Sequence, residues 1–471
     1  MKFDINIKNI GKIECANIKL RPFTVISGAN SSGKSFVTKA LYSFFSTINQ
    51  DHITRAAQSE LFRIRAVGRG INHELRSPSQ QIASLHDELM QMIHQLQDVA
   101  LKEFGSCTYT EQLSRSYIVN DYYTEITDLI SLIMSETKGI KKYADYRNSI
   151  EFISLRLKQF KSIIDSPKNT IINEIEKGFE DGLKENFQVT NLTDLKNINA
   201  PHDSCIKFDL GSLGHITIEN EGISFSLRNE SINDFQSLYN VVFLESPIYW
   251  KLRKPLIELK DRHNMRSFSF GFNRRKKSQL NGVPKYIYDL MNLVEEKFKS
   301  NEHNQSNIEL YQDINKTIGG ELDISDNGDM LFKEKQGNIN INLTATGVAN
   351  LGLIGLLLKR NVIAKGSYIF VDEPEVNLHP AWQKVMVETL YKLSLSGINV
   401  VIASHSIDMM KYIENIIESS NFSDIEDHFA INQLSNVGTS LKDNEPLLKK
   451  LASIKADLGA SYFDMVLDSD W

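Results

Sequence analysis

Cysteine is scarce in this chain, and long apolar runs are missing from it. Its 471 residues include three cysteines, Cys15, Cys107 and Cys205, which lie far apart and lack the spacing of metal ligands. They predict a reducing compartment, no zinc site and three small buried side chains. No stretch is apolar enough to span a bilayer, and Met1 to Asp4 lead directly into an alternating strand instead of a signal peptide. We therefore expect a cytoplasmic protein without a membrane partner.

Positive charge is not in excess either. The formal net charge of −6 argues against a surface that coats DNA uniformly, so any contact with nucleic acid would have to be local. With 41% hydrophobic and 24% charged residues, the composition is that of a globular protein. The length allows one large core or two to three domains.

The stretch from Gly28 to Ser35 matches the phosphate-loop pattern G-x-x-x-x-G-K-[ST]. An apolar strand, Phe23 to Ile26, precedes it, and a helix is predicted from Phe36 to Phe45. In such a loop the backbone N–H groups turn inward on phosphates, and the helix N-terminus adds partial positive charge. The residues expected to bind the nucleotide here are Asn30, Ser31, Ser32, Gly33, Lys34 and Ser35, with Lys34 on the β- and γ-phosphates and Ser35 on Mg²⁺.

Two later strands also end in polar side chains. The buried run Tyr368 to Val371 ends on Asp372 and Glu373, and the run Ile398 to Ala403 is followed by His405. Carboxyl ends of parallel strands are where doubly wound folds bind ligands. We expect Asp372 to hold Mg²⁺, Glu373 to polarise the attacking water, and His405 to sense the γ-phosphate.

The order of strand-rich and helical segments along the chain predicts that a helical region is inserted into a strand-rich domain. Strand-rich segments at 1–50 and 200–250 form one ATPase lobe and flank a helical region at 51–199; a basic helical segment at 251–318 and a second lobe at 319–471 follow. A hairpin is predicted around Asp326 to Asp329. Apolar residues in the inserted region recur at steps of three and four, at Ile82, Leu85, Leu89, Met92, Leu96 and Val99, and again from Ile150 to Ile164. This spacing fits a short coiled-coil arm and an ordinary helical bundle alike.

Most of the clustered positive charge lies between residues 251 and 277. The cations are Lys251, Arg253, Lys254, Lys260, Arg262, Arg266, Arg274, Arg275, Lys276 and Lys277, and Trp250, Phe268, Phe270 and Phe272 lie among them. Such a segment can neutralise DNA phosphates or an acidic protein face. A solvated loop is the alternative.

Four stretches resemble the ABC-type ATPase heads of the OLD, RecF and SMC group: the phosphate loop, Thr344 to Leu351, Asp372 to Pro380, and Ala403 to Ser406. The phrase from Asp372 to Glu375 with Leu378 to Pro380 looks most like the OLD-like branch, which includes ATPase subunits of the anti-phage systems Septu, PARIS and some retrons. The resemblance implies an α/β fold, a P-loop ABC-ATPase head with a mixed sheet plus an inserted helical, short coiled-coil domain.

The same resemblance implies ATP and Mg²⁺ as cofactors and assigns further roles. Thr346 and Gly347 would belong to the signature motif, which contacts the γ-phosphate bound to a partner subunit. Pro374 to Pro380 would be the D-loop, and His405 the switch histidine. Ala345 stands where the family has a serine, and only Gln50 is a candidate for the glutamine that bridges metal and lobe motion. Hydrolysis is therefore expected to be slow.

The function implied is an ATPase subunit of a bacterial anti-phage complex that forms a head-to-head dimer or higher homo-oligomer around ATP. Only Ser406 to Trp471 follow the histidine, so the nuclease is expected on a separate effector subunit. The alternative is a RecF- or SMC-like ATPase acting on DNA in repair or maintenance. The nucleotide-binding half of a membrane transporter and a scaffold that binds ATP without hydrolysing it are further alternatives.

Overall fold

The computed structural model describes residues 3–71, 78–105, 107, 109–219, 222–228, 238–245, 248–259, 282–295, 305–441 and 443–467. It divides into two compact units. The first, called the head unit here, comprises residues 1–49, 178–227 and 238–471. The second, called the helical unit, comprises residues 50–177 and 228–237.

A six-stranded sheet forms the centre of the head unit. Its strands, in spatial order, are β14 (Ser440–Leu441), β13 (Phe429–Leu434), β3 (Phe23–Gly28), β12 (Asn399–Ser404), β11 (Tyr368–Asp372) and β7 (Val241–Leu244). All neighbours pair in parallel except β14, which is antiparallel. The five parallel strands are buried along their whole length, as in sheets that are covered on both faces, and most of their residues are apolar. The carboxyl ends of these strands therefore lie along one edge.

Two antiparallel sheets complete the head unit. One has the order β2-β1-β4-β5-β6 and consists of β1 (Phe3–Ile10), β2 (Ile13–Leu20), β4 (Ile206–Asp209), β5 (Gly214–Glu219) and β6 (Gly222–Leu227). The other has the order β10-β9-β8 and consists of β8 (Glu321–Ile324), β9 (Met330–Glu334) and β10 (Gly337–Asn340). The hairpin predicted around Asp326 to Asp329 is confirmed, because Ile324 pairs with Met330.

The described helices of the head unit are α1 (Lys34–Ile48), α8 (Ile248–Lys251), α9 (Lys285–Glu295), α10 (Gln305–Ile318), α11 (Thr346–Lys359), α12 (Pro380–Leu395), α13 (Ile407–Ser419) and α14 (Leu447–Leu467). α11 begins at Thr346, seven residues before the apolar helix that the sequence predicted from Leu353. Its glycines do not break it. A Cβ at Gly352 would meet the Cβ of Leu322 at 3.1 Å, so glycine lets β8 lie close to the helix.

The helical unit is built from α2 (His52–Ile71), α3 (Gln80–Phe104), α4 (Tyr109–Arg115), α5 (Ile118–Glu136) and α6 (Ala144–Asp165), and α7 (Pro167–Phe187) begins in it and ends in the head unit. α2 packs against α3 and α6, and α5 packs against the same two helices. These four helices thus surround one core in the manner of a bundle. Among the residues described, no helix of either unit is long and apolar enough to cross a membrane.

The buried face of α3 differs from the predicted seam. Ile82, Leu89 and Leu96 are buried as expected, but the remaining buried positions are His86, Ile93, Ala100 and Phe104. Leu85, Met92 and Val99 are half-buried. The predicted and the observed stripes both have steps of three and four residues. The helices α2 and α5 pack on two sides of α3 and bury the stripe that lies one residue later in the sequence than the predicted one. The seam on α6, from Ile150 to Ile164, is buried as predicted.

The three cysteines are free and half-buried, so the expectation of fully buried side chains is wrong. The thiol of Cys15 lies against the Asn6 amide on the neighbouring strand, 3.8 Å from its nitrogen. The thiol of Cys107 donates to the carbonyl of Glu103 at 3.3 Å. Two of the three thiols therefore have a polar neighbour.

We expect Ile93→Ala to lower the free energy of unfolding by about 2 to 5 kcal/mol, because it removes a fully buried side chain from the bundle core. Met92→Ala, at the adjacent half-buried position, should cost less than half as much. Urea unfolding of the full chain, followed by circular dichroism, gives both values. Equal losses, or a larger loss for Met92→Ala, would contradict the observed face of α3.

Candidate functional site

The edge formed by the carboxyl ends of the parallel strands gathers most of the polar residues singled out by the sequence. Ser27 of β3 pairs with Ser404 of β12, and Ala403 pairs with Asp372 of β11. These pairs align the carboxyl ends of the three strands. The loops after β3, β11 and β12 therefore start side by side. The phosphate-loop sequence, the Asp372–Glu373 pair and His405 therefore meet at one place.

The loop after β3 wraps around the ammonium group of Lys34. Lys34 is 5% exposed, and its Nζ donates to the carbonyl oxygens of Gly28 and Ala29, both at 2.9 Å. Gly33, which precedes α1, has a φ of 97°, and a Cβ there would meet Ile13 Cδ1 at 2.6 Å. Burial lowers the pKa of Lys34, and the carboxylates of residues 373, 372 and 375 oppose that shift. The chain thus keeps a desolvated cation at the root of the loop.

The tip of this loop is open, whereas its inner wall is polar and buried. Asn30 and Ser31 are exposed, and Ser31 has a φ of 63°. Ser27 and Ser32 are fully buried, and their hydroxyl oxygens have no hydrogen-bond partner among the residues that the structure describes. Buried hydroxyls without a partner are costly, so the loop is built to receive a polar ligand.

Asp372 lies at the end of β11 beside the start of α1. Its side chain lines the same cavity as Ser35, and its Oδ1 atom has no hydrogen-bond partner in the described part of the chain. Burial raises the pKa of Asp372 to about 6; Ser35 and Lys39 oppose the shift, whereas Glu245 and Glu373 add to it. A carboxylate oxygen without a hydrogen-bond partner and a nearby serine hydroxyl are together suitable ligands for a hard cation.

Glu373 and His405 face each other across the edge. Glu373 has a left-handed backbone with a φ of 49°, and its N–H donates to the carbonyl of Ala403 at 2.9 Å. Its Oε1 atom lies 3.7 Å from Nδ1 of His405. The side chains are 42% and 34% exposed, so both remain accessible to water or a ligand. A second carboxylate, Glu375, approaches the same ring nitrogen to 3.2 Å.

The residues assigned to a signature motif lie elsewhere on the head unit. Thr346 and Gly347 form the first turn of α11, and a Cβ at Gly347 would meet Leu378 at 3.0 Å and Trp382 at 3.5 Å. The motif therefore packs on the loop and helix that follow Glu373. A cavity of about 330 Å³ adjoins Ser35 and Asp372; its described lining from α11 is Asn350, Leu353 and Ile354, and not the first turn.

Sequence reasoning missed Glu245, the residue that follows β7. It lines the same cavity, its Oε1 atom lies 3.2 Å from Nζ of Lys39, and its Oε2 atom accepts from the Tyr286 hydroxyl at 2.6 Å. The signal was present, since a fully apolar strand ending in a carboxylate is the pattern that identified Asp372. The candidate Gln50 belongs to the helical unit and lies two residues beyond the end of α1, so its role stays a prediction.

Only part of the basic segment lies within the described residues. Arg253 is 5% exposed; its guanidinium binds the carboxylate of Glu295 and the carbonyl of Gly328. This cation therefore anchors the β8–β9 turn and is not available to a partner. Lys251 is half-buried, and Lys254 pairs with Asp329 at 3.5 Å. The remaining cations and the three phenylalanines, from residue 260 to residue 277, lie outside the described residues.

The chain is similar to several solved structures at low sequence identity. No curated protein matches it. Among solved structures, a Smc head bound to the C-winged helix domain of ScpA is 12% identical, with 94% of each chain covered and a TM-score of 0.37. The SMC head domain from Thermotoga maritima is 9% identical, with 92% of this chain and 94% of that chain covered and a TM-score of 0.32. A Smc head with a coiled coil and joint from Pyrococcus yayanosii is 12% identical, with 97% and 99% covered and a TM-score of 0.32.

The fold itself is that of an α/β P-loop ATPase head with a mixed sheet and an inserted helical domain. The sequence profile of the AAA ATPase domain matches residues 1–410, which include the phosphate loop, the Asp372–Glu373 pair and His405. The chain belongs to the AAA ATPase domain family.

Proposed function

We propose that this chain binds and hydrolyses ATP with Mg²⁺, and that two copies close head to head so that each completes the other's nucleotide site. The observation that carries this proposal is the convergence of Lys34, Ser35, Asp372, Glu373 and His405 at one edge of the sheet. A buried cation, a serine–carboxylate pair, an accessible carboxylate and a histidine are the groups that phosphoryl transfer to water needs.

The donor set fits Mg²⁺ in the manner of nucleotide-dependent sites. Within the described residues, no three His, Cys, Asp or Glu side chains are grouped so as to hold a metal ion by themselves. Mg²⁺ in such enzymes takes one or two protein ligands and fills its shell with phosphate oxygens and water. Ser35 and Asp372 would be those ligands, and the bound ion would neutralise charge on the β- and γ-phosphates.

Three side chains would act on the nucleotide and the water. Lys34 would exchange its two carbonyl partners for phosphate oxygens, since its ammonium is already desolvated beside the loop. Glu373 would accept a hydrogen bond from the attacking water and orient it. His405 would contact the terminal phosphate from the neighbouring loop.

The first turn of α11 supports a site shared between two copies. Among the described residues no side chain caps this turn, so its backbone N–H groups are available to an anion. A helix start that can accept an anion suits a surface that a second head covers.

The finer part of the proposal is an ATPase subunit of an anti-phage complex that controls a separate effector nuclease. It is supported by the resemblance of Asp372 to Pro380 to the OLD-like branch. The segment at 251–277 would take part in binding the effector, DNA or an acidic phage protein.

Mixing two inactive variants tests whether the site is shared. Lys34→Ala removes the phosphate ligand, and Thr346→Asp places a negative charge where the partner's γ-phosphate would lie while remaining favourable at a helix N-terminus. We expect each variant alone to be inactive and an equimolar mixture to recover about a quarter of wild-type hydrolysis, because half of the dimers then hold one intact site.

Thr346→Asn is the neutral control and should retain hydrolysis. Mass measurements in the presence of ATP show whether dimers form, and Glu373→Gln, which binds ATP but hydrolyses it slowly, should accumulate them. A mixture as inactive as its components, although mixed dimers are present, would place the whole site within one chain.

The titration of Asp372 predicts how metal binding depends on pH. Its pKa is raised to about 6, and the cation binds the ionised carboxylate, so Mg²⁺-dependent ATP affinity should fall as pH drops through about 6. At pH 5 we expect it to be about tenfold weaker than at pH 7.5. Glu245→Gln removes a charge that raises this pKa and should move the midpoint to lower pH.

Calorimetric titration at several pH values measures this midpoint. ATP titrates in the same range, so the informative quantity is the difference between variants with the same nucleotide. Glu388→Gln, a half-exposed carboxylate on α12, is the control and should leave the midpoint unchanged. If Glu245→Gln behaves like this control, Asp372 does not govern the pH dependence.

Co-expression with the neighbouring gene tests the partner. We expect a complex whose mass or nuclease activity changes with ATP and no longer does so with Lys34→Ala. The DNA-maintenance alternative predicts instead that the isolated chain binds duplex DNA, with a steep loss as salt rises and on changing Arg274 and Arg275 to Glu.

A further inference from the structure

Glu375 is a buried carboxylate next to His405, and the proposed hydrolysis does not use it. Its side chain is 6% exposed. Its Oε1 atom accepts from the hydroxyl of Ser404 at 2.9 Å and from the backbone N–H of His405 at 2.8 Å. The loop after β12 is therefore folded around this one oxygen.

The ring of His405 is held at the same oxygen. Nδ1 of His405 lies 3.2 Å from Glu375 Oε1 and 3.7 Å from Glu373 Oε1, and it has no well-aligned hydrogen bond to any described residue. The Oε2 atom of Glu375 likewise has no partner in the described part of the chain. A proton on Nδ1 would lie between the two carboxylates and closer to that of Glu375. The arrangement is thus ready to hold a proton on Nδ1.

We propose that Glu375 is a positioning residue that keeps a proton on Nδ1 of His405, so that Nε2 can donate to the terminal phosphate only when the ring is an imidazolium. The phosphate contact rests on the proposed function; the tautomer does not. A neutral imidazole has one N–H. If Nδ1 carries it, Nε2 presents a lone pair, which repels a phosphate oxygen. The doubly protonated ring donates on both sides, to Glu375 and to the phosphate.

The surroundings of the ring favour that charged form when nucleotide binds. The charged groups beside it are the carboxylates of Glu373 and Glu375; Lys34 and Asp372 lie across the same edge. Gln383, which accepts from Ser406 at 2.6 Å, is the neutral neighbour from α12. A terminal phosphate would add a third negative group beside the ring. ATP binding is therefore coupled to the uptake of one proton by His405.

The consequence is a pH dependence with a defined sign. Each molecule of ATP bound must then bring a proton to the ring, so affinity falls as pH rises. In Glu375→Gln the amide oxygen still accepts from the Ser404 hydroxyl and from the backbone N–H of His405. The neutral amide no longer favours a proton on Nδ1. The neutral ring can then carry its proton on Nε2 and donate to the phosphate without uptake.

Nitrogen NMR of the nucleotide-free chain tests the tautomer directly. With ¹⁵N-histidine labelling and His405→Gln for assignment, we expect wild-type His405 at pH 8 to carry its proton on Nδ1, and Glu375→Gln to carry it on Nε2. Glu373→Gln is the matched control; it removes the more distant carboxylate and should keep the proton on Nδ1. A proton on Nε2 in the wild-type chain overturns the proposal, whether or not the chain hydrolyses ATP.

Calorimetry in buffers of different ionisation enthalpy counts protons on binding of a non-hydrolysable ATP analogue with Mg²⁺. We expect the wild-type chain to take up one more proton at pH 8 than Glu375→Gln does, although both bind. Equal uptake overturns the coupling. Should Glu375→Gln fail to fold, the wild-type tautomer and the Glu373→Gln control still decide the question. A chain with the expected tautomer that binds no nucleotide would refute the proposed function alone.

Discussion

The parallel register of the central sheet is the constraint on which the rest of the head unit depends. β3 lies between β12 and β13, and β11 lies between β12 and β7. Both backbone edges of β3, and both backbone edges of β11, are therefore paired. A shift of one residue would turn buried side chains to the other face and leave interior N–H groups unpaired. The observed register sets Ser404 beside Ser27 and Asp372 beside Ala403. Loops from distant parts of the chain consequently begin at the same level.

That edge concentrates buried charge, which folding normally avoids. Lys34, Asp372 and Glu375 are each less than a tenth exposed. Lys34 is compensated by two carbonyls, and Glu375 by a hydroxyl and a backbone N–H. Asp372 has only Ser35, and burial accordingly raises its pKa. An incompletely paired charge is costly in isolation and becomes favourable when a cation arrives. The proposed Mg²⁺ would therefore stabilise this site.

The wall of the cavity beside this edge is assembled from segments far apart in the chain. Glu245 is held by Lys39 of α1 and by the hydroxyl of Tyr286 on α9. The backbone N–H of Tyr286 in turn donates to Asn186 Oδ1 at 2.9 Å, which ties the end of α7 to the same wall. Each of these contacts is buried or half-buried, so the position of Glu245 depends on three helices at once. A change in the placement of α9 would therefore change the position of Glu245 in the cavity wall.

Local patterns determined much of this protein by themselves. The phosphate loop, the strand ending in Asp372 and Glu373, the strand before His405 and the hairpin near Asp326 were all predictable, because each depends on residues adjacent in sequence. The tertiary structure alone decided which stripe of α3 is buried, since Leu85 and His86 satisfy the same helical period and only the neighbouring helices distinguish them. It also decided that Arg253 anchors a turn, that Glu245 lines the cavity and that Glu375 holds His405. A charged side chain acquires its role from its partners, and here those partners lie 30 to more than 200 residues away along the chain.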